Sequence, residues 1–317
     1  MSNKFGHFGK PRFPALFKLL SDGVASKDGE TWVKRRRILN PGFHLEKLKA
    51  EQAKRVMKSF QKITIPGYML LPTENNRKMH RINKEIETIL RGLIEKRIQA
   101  MKEGESKDDL LGLLLESNIR DPDGSSKSGM AMTIEDIMGE CKLFYFAGME
   151  TTSILLTWTM VVLSMHPEWQ DRAREEVTMI LYEVLRLYPP GIKLSRKAYE
   201  DVELGGIVYP AGVIIEISVL MIHHDPDIWG SDVHEFKPDR FSEGIFKASK
   251  GPGAFLPFGW GPRICIGQNF ALLEAKIALC MILQRFEFAL APSYTHAPHT
   301  VVNMRPMHGA QVKLRVI

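Results

Sequence analysis

Residues 255–267, Phe-Leu-Pro-Phe-Gly-Trp-Gly-Pro-Arg-Ile-Cys-Ile-Gly, constrain this chain more than any other stretch. Cys265 stands among Gly259, Gly261 and Gly267 with Arg263 beside it, and an apolar helical pattern opens at Gln268. Glycine lets the backbone turn tightly and come close to a flat partner. A helix starting just beyond a cysteine presents unpaired N–H groups and a positive dipole end, which favour the thiolate. The loop therefore reads as one built to offer an activated thiolate to a planar, partly anionic group. Taken alone it leaves open the commoner reading, a buried structural cysteine in a Gly/Pro loop.

Composition narrows the classes. The chain has 317 residues, enough for a sizeable core, and its 44% hydrophobic and 25% charged residues are those of an ordinary globular protein. A net charge of +6 with no basic run interleaved with aromatics excludes a nucleic-acid binder and fits a basic face for an acidic protein partner. Cys141, Cys265 and Cys280 form no C-x-x-C pair and no zinc spacing. Residues 1–10 are polar and basic, and the longest apolar run, residues 154–165, is short of the ~20 residues that span a bilayer, so a chain without an anchor is expected.

Further patterns surround the loop. Trp32 and Arg36 share a helix face, while Lys34, Arg35 and Arg37 read as a solvated basic face. Helices are expected over 75–101 and 108–117, with a surface loop at 121–126. Thr133 with Asp136 forms a capping pair opening a helix to about Met165. That helix contains Ala147-Gly148-Met149-Glu150-Thr151-Thr152, where a mid-helix glycine costs ~1 kcal/mol and an acid beside two hydroxyls needs partners. No Gly or Pro lies between Pro167 and Pro189, which predicts one continuous helix carrying Glu183 and Arg186 on one face. From Lys193 the period changes to a small β region with turns at Gly205-Gly206 and 210–212. His223-His224 lies on an extended chain in this reading, so the two rings face apart and are structural rather than metal ligands. The tail, 300–317, reads as a β-hairpin turning near His308-Gly309.

The pattern Phe258-x-x-Gly261-x-Arg263-x-Cys265-x-Gly267 resembles the haem-binding signature of the cytochrome P-450 monooxygenases, and other elements follow in that family's order. The resemblance runs from about Asp28 to the C-terminus and is similar to the plant branch of secologanin synthase-like enzymes. It implies a mainly α fold with a small β region, as one haem-thiolate monooxygenase domain over 1–317. It implies haem b with Cys265 as the iron ligand. Trp32, Arg36, Arg196 and Arg263 would hold the propionates, with Ala147, Phe258 and Gly267 at the cofactor. Glu150 and Thr151 would support proton delivery, and Glu183, Arg186 and Arg240 would form a structural network.

Three departures accompany it: no N-terminal membrane helix, and direct splices between Lys49 and Ala50 and between Glu176 and Val177, as though helices or a loop were missing. Local propensity predicts continuous helices across both junctions. The family's activity would insert one atom of dioxygen into a small lipophilic plant metabolite or hormone, for instance a terpenoid. Electrons would come from NADPH through a flavoprotein reductase at the cytosolic face of the endoplasmic reticulum membrane. The alternatives are a shortened, poorly active form that keeps the motifs, and a haem-thiolate isomerase or dehydratase, against which the intact Glu150-Thr151 pair argues.

Overall fold

The computed structural model describes residues 8–11, 23–39, 71–104, 109–119, 132–249, 251 and 253–317. They divide into two compact units, one of residues 9–149 and one comprising residues 150–317 with Phe8. The fold is mainly α-helical with a small β region.

The unit of residues 9–149 contains α1 (Gly29–Leu39), α2 (Glu74–Lys102), α3 (Leu110–Ile119) and the first half of α4 (Ile134–Met165). Thr73 caps α2, its hydroxyl accepting from the Asn76 N–H at 3.2 Å. At the start of α4 the reciprocal pair expected from the sequence is present. The Asp136 N–H donates to Thr133 Oγ1 at 3.1 Å and the Thr133 N–H donates to Asp136 Oδ2 at 3.2 Å. Thr133→Ala is expected to lower the unfolding free energy by about 0.5–2 kcal/mol, measured from urea midpoints.

One position departs from the solvated basic face. Arg35 is only 7% exposed. Its guanidinium donates to Glu140 Oε1 at 3.0 Å and pairs with Asp136 one turn earlier on α4. Burial pushes the Glu140 carboxyl up, against the Val24 N–H and Arg35, which stabilise its charge. A run of basic residues does not say which one a buried acid will take.

The unit of residues 150–317 is built around the second half of α4. It adds α5 (Glu168–Glu175), α6 (Thr178–Leu187), β1 (Lys193–Ala198), β2 (Val202–Leu204), β3 (Ile207–Tyr209) and β4 (Ile214–Ser218). Then come α7 (Val219–His223), α8 (Pro226–Trp229), α9 (Gln268–Leu283), β5 (Phe286–Leu290), β6 (Pro298–Thr300), β7 (Met304–Pro306) and β8 (Val312–Val316). Trp158, Leu181, Trp229, Phe241, Phe255 and Leu279 belong to one apolar core, each such side chain contributing roughly 1.5–3 kcal/mol on burial. Antiparallel β1 and β4 pair from Lys193 opposite Ser218 to Lys197 opposite Ile214. Gly205 (φ 60°) and Gly206 (φ 78°) close the β2–β3 hairpin with the two positive φ values that a two-residue type I′ turn requires.

Two expectations fail here. The helix is broken at the Glu176–Val177 junction, where Glu176 is extended (φ −137°, ψ 106°). Its Oε1 accepts from the Thr178 N–H at 2.6 Å, a bond that holds the carboxyl below its usual range. The break lets a surface helix become a core one: α5 exposes Glu168, Asp171 and Arg172, whereas seven of the ten residues of α6 are buried. Packing thus overrides a stretch without helix breakers. The junction between Lys49 and Ala50, with the 121–126 loop, lies outside the described residues.

The tail is not a hairpin. β8 pairs antiparallel with β5, Leu314 opposite Phe288, and β7 pairs with β6. On β5 the Gln170 amide satisfies Phe288, donating to its carbonyl at 2.8 Å and accepting from its N–H at 3.2 Å.

Among the described residues one helix, α4, is long and apolar enough to cross a membrane, and 56% of its most apolar window is buried in the protein. A core helix has the same appearance.

Candidate active site

Short-range hydrogen bonds shape the cysteine loop. The Gly259 N–H donates to Leu256 O at 3.0 Å, Ile264 N–H to Gly261 O at 3.0 Å, and Cys265 N–H to Phe258 O at 2.8 Å. Gly259 (φ 77°) and Gly261 (φ 74°) sit in the left-handed region, where side chains are strained, whereas Gly267 (φ −86°) does not. Cys265 is exposed at the turn before α9, while Phe258 packs on the core. A Cβ on Gly259 would sit 3.7 Å from Leu194 Cδ2 and 3.9 Å from the Arg263 carbonyl, so β1 runs beside the loop. Arg196, two residues beyond Leu194, shares that face of the strand. Arg196 and Arg263 are both half-buried.

Beneath the loop lies a fully buried ion pair. Glu183 and Arg186 are both 0% exposed. Arg186 Nε and Nη2 donate to the two Glu183 oxygens at 2.8 and 2.7 Å. Its other N–H groups donate to the carbonyls of His223 (3.0 Å), Val233 (2.6 Å) and Glu235 (3.2 Å), so all five guanidinium donors are used. Glu183 Oε1 also accepts from the Lys237 N–H at 3.1 Å and faces Arg240 Nε at 3.6 Å. Arg240 donates to the Trp229 carbonyl at 2.9 Å and to Asp232 at 3.0 Å, and Lys237 with Arg240 holds the Asp232 carboxyl down at about 2.

On α4, Glu150 is 3% exposed with Arg305 Nη2 3.7 Å from its Oε1, and Thr151 beside it is half-buried. Within the other unit, Ala147 is exposed and a Cβ on Gly148 would meet nothing within 4 Å. Among the described residues no neighbour therefore demands that glycine. Trp32 and Arg36 are half-buried, one turn apart on α1.

His223 was placed wrongly by the sequence. It ends the short helix α7 rather than lying on an extended chain, and it is fully buried. Its Nδ1 lies 3.2 Å from Arg186 O, and its Nε2 accepts the Leu256 N–H at 2.8 Å. His224 instead places Nε2 3.1 Å from Leu187 O. Among the described residues no group of three or more His, Cys, Asp or Glu is arranged to hold a metal ion by itself.

Burial, with Arg186 and His224 nearby, pushes the His223 ring down to about 3. Its folded value lies below the ordinary ~6.5, so on acidification the unfolded chain takes the proton first. The stabilisation is complete above about pH 6.5 and declines as pH falls toward 3. Lowering pH from about 7 to about 4 is expected to reduce stability more in the unaltered chain than in His223→Gln, read from urea midpoints.

A family model described as Cytochrome P450 matches residues 52–309. The chain belongs to the cytochrome P450 family. Cytochrome P450 CYP72A616 of Paris polyphylla is 46% identical over an alignment covering 99% of this chain and 77% of that protein. The 11-oxo-beta-amyrin 30-oxidase of Glycyrrhiza uralensis is 43% identical, covering 98% and 76%. The solved structure of retinoic acid-bound cyanobacterial CYP120A1 superposes with a TM-score of 0.84 at 22% identity, covering 99% of this chain and 86% of that one, which is a likeness of fold. The chain is thus a P450-type monooxygenase, an oxidoreductase, with CYP72A relatives. The alignment to the Paris protein runs over 396 positions against 317 residues here, so it contains positions without a counterpart in this P450.

Proposed function

We propose that this P450 is one haem-thiolate monooxygenase domain, with Cys265 as the iron ligand, acting on a small lipophilic plant metabolite. The observation that carries the reading is the loop: an exposed cysteine three residues before the α9 N-terminus, its own N–H tied back to Phe258 O. The residues present fit haem. The Gly259, Ile264 and Cys265 N–H groups are used within the loop, the cysteine is exposed, and half-buried Arg263 and Arg196 offer cations for propionates. When bound, haem supplies dioxygen activation, assisted by electron donation from the thiolate.

The protein's own groups do the rest. On this reading Arg196 and Arg263 would hold the propionates with Phe258 and Gly267 beside the cofactor, and from the other unit Trp32 and Arg36 would serve as propionate ligands and Ala147 as a cofactor neighbour. Thr151 Oγ1 and the Glu150 carboxylate hold and pass protons, with Arg305 beside Glu150 keeping that carboxylate oriented. Glu183, Arg186 and Arg240 brace the scaffold under the loop. Electrons come from NADPH through a flavoprotein reductase at the cytosolic face of the endoplasmic reticulum membrane. The substrate named for the Glycyrrhiza relative, 11-oxo-beta-amyrin, supports a terpenoid-class substrate.

The test is a reduced, CO-bound spectrum on the purified chain, then oxygen incorporation from labelled dioxygen with NADPH and a plant reductase. A thiolate-type Soret band with one haem per chain is expected; haem bound without that band would remove Cys265 from the ligand position. A second reading, a shortened form spliced between Lys49 and Ala50 and between Glu176 and Val177 that keeps the motifs without productive haem binding, is favoured by the relatives' extra aligned positions. Haem stoichiometry well below one per chain would select it.

A further inference from the structure

The buried ion pair and the cysteine loop are separate in sequence, and one side chain touches both. We propose that His223 is the positioning residue for Cys265, its ring tying the Glu183–Arg186 pair to the chain that feeds the cysteine loop. The contacts run in series. His223 and Arg186 clasp each other twice: Arg186 Nη1 donates to the His223 carbonyl at 3.0 Å, and His223 Nδ1 faces the Arg186 carbonyl at 3.2 Å. The far side of the ring accepts the Leu256 N–H at 2.8 Å. A single neutral tautomer, with the proton on Nδ1, satisfies both ring contacts. The ring also stacks on Phe255, centroids 5.5 Å apart and 22° from parallel.

From Leu256 the chain of bonds continues into the loop. Leu256 O accepts the Gly259 N–H, which sets the first positive-φ turn, and Phe258 O then accepts the Cys265 N–H. Because Pro257 carries no N–H, Leu256 supplies the last backbone donor before Phe258. Loss of its buried acceptor frees the segment that sets where Phe258 O, and with it Cys265, is held. The inference rests on the haem-ligand reading only for its spectroscopic arm.

Two replacements separate positioning from bulk stability. An asparagine amide reaches about as far as Nδ1 and keeps a donor toward Arg186 O, but falls short of Leu256. A glutamine amide reaches about as far as Nε2 and keeps an acceptor for Leu256. On the 317-residue chain supplied with haem, amide hydrogen exchange of a peptide over 254–267 is compared with one from α9. The thiolate-type fraction of the reduced CO spectrum is read on the same samples. In His223→Asn, exchange over 254–267 is expected to rise at least ~10-fold while α9 is little changed, and the thiolate-type fraction falls. His223→Gln is expected to retain both. Equal loss in the two variants, loss spread equally to α9, or no loss in His223→Asn would each overturn the assignment. If the unaltered chain takes up no haem, the monooxygenase reading fails, while the exchange comparison still decides the role of His223.

Discussion

Arg186→Met is expected to lower the unfolding free energy by about 3–5 kcal/mol, a large part of the ~5–15 kcal/mol available to a domain. The replacement leaves the Glu183 carboxylate buried at 0% exposure without its two-bond partner. It also strips donors from the carbonyls of His223, Val233 and Glu235. Removing both charges, as in Glu183→Leu with Arg186→Met, is expected to recover only part of the loss. A neutralised pair relieves the stranded charge, but the three carbonyls still lack the donors that Arg186 supplied. Urea unfolding followed by circular dichroism measures both variants. A single-variant loss under about 1 kcal/mol would mean that water or Arg240 replaces the guanidinium, against the geometry described.

Cys265→Ser is expected to do the opposite: leave stability within about 0.5 kcal/mol and remove the chemistry. The side chain is exposed, and the bond that fixes its position is made by its backbone N–H to Phe258 O, which serine keeps. The reduced CO spectrum of the variant should lack the thiolate-type Soret band, and oxygen incorporation should fall to background. A variant that keeps the band would show that another group ligates the iron. The contrast between the two substitutions separates what braces the loop from what the loop presents.

Features carried by neighbours in sequence were legible beforehand. The Thr133–Asp136 pair, the helix it opens to Met165, the glycine hairpin between β2 and β3, and the helix after Cys265 depend on residues within a few positions of each other. The Glu183–Arg186 pairing belongs here too, since three residues on a helix bring the side chains together. Features that depend on what arrives from far along the chain were not. Arg35 reads as a surface cation until Glu140 is brought to it. The 168–187 stretch contains no helix breaker and reads as one helix until the core claims α6. The tail reads as a hairpin, but β5 and β6 offer its two strands other partners.

By itself the sequence determined the chemistry on offer: one cysteine in a glycine-rich turn at a helix start, an acid–threonine pair, and an E-x-x-R pair, in the order that marks a cytochrome P450. Local spacing suffices for these because turns, caps and i,i+3 contacts are short-range. Only the tertiary structure decided what holds the cysteine turn from behind. Nothing near His223 in the chain shows that its ring will meet Leu256, thirty-three residues away, or that a neutral imidazole with one donor and one acceptor will satisfy both sides of a dry junction. A buried backbone N–H must find an acceptor, and which residue supplies it is settled by packing.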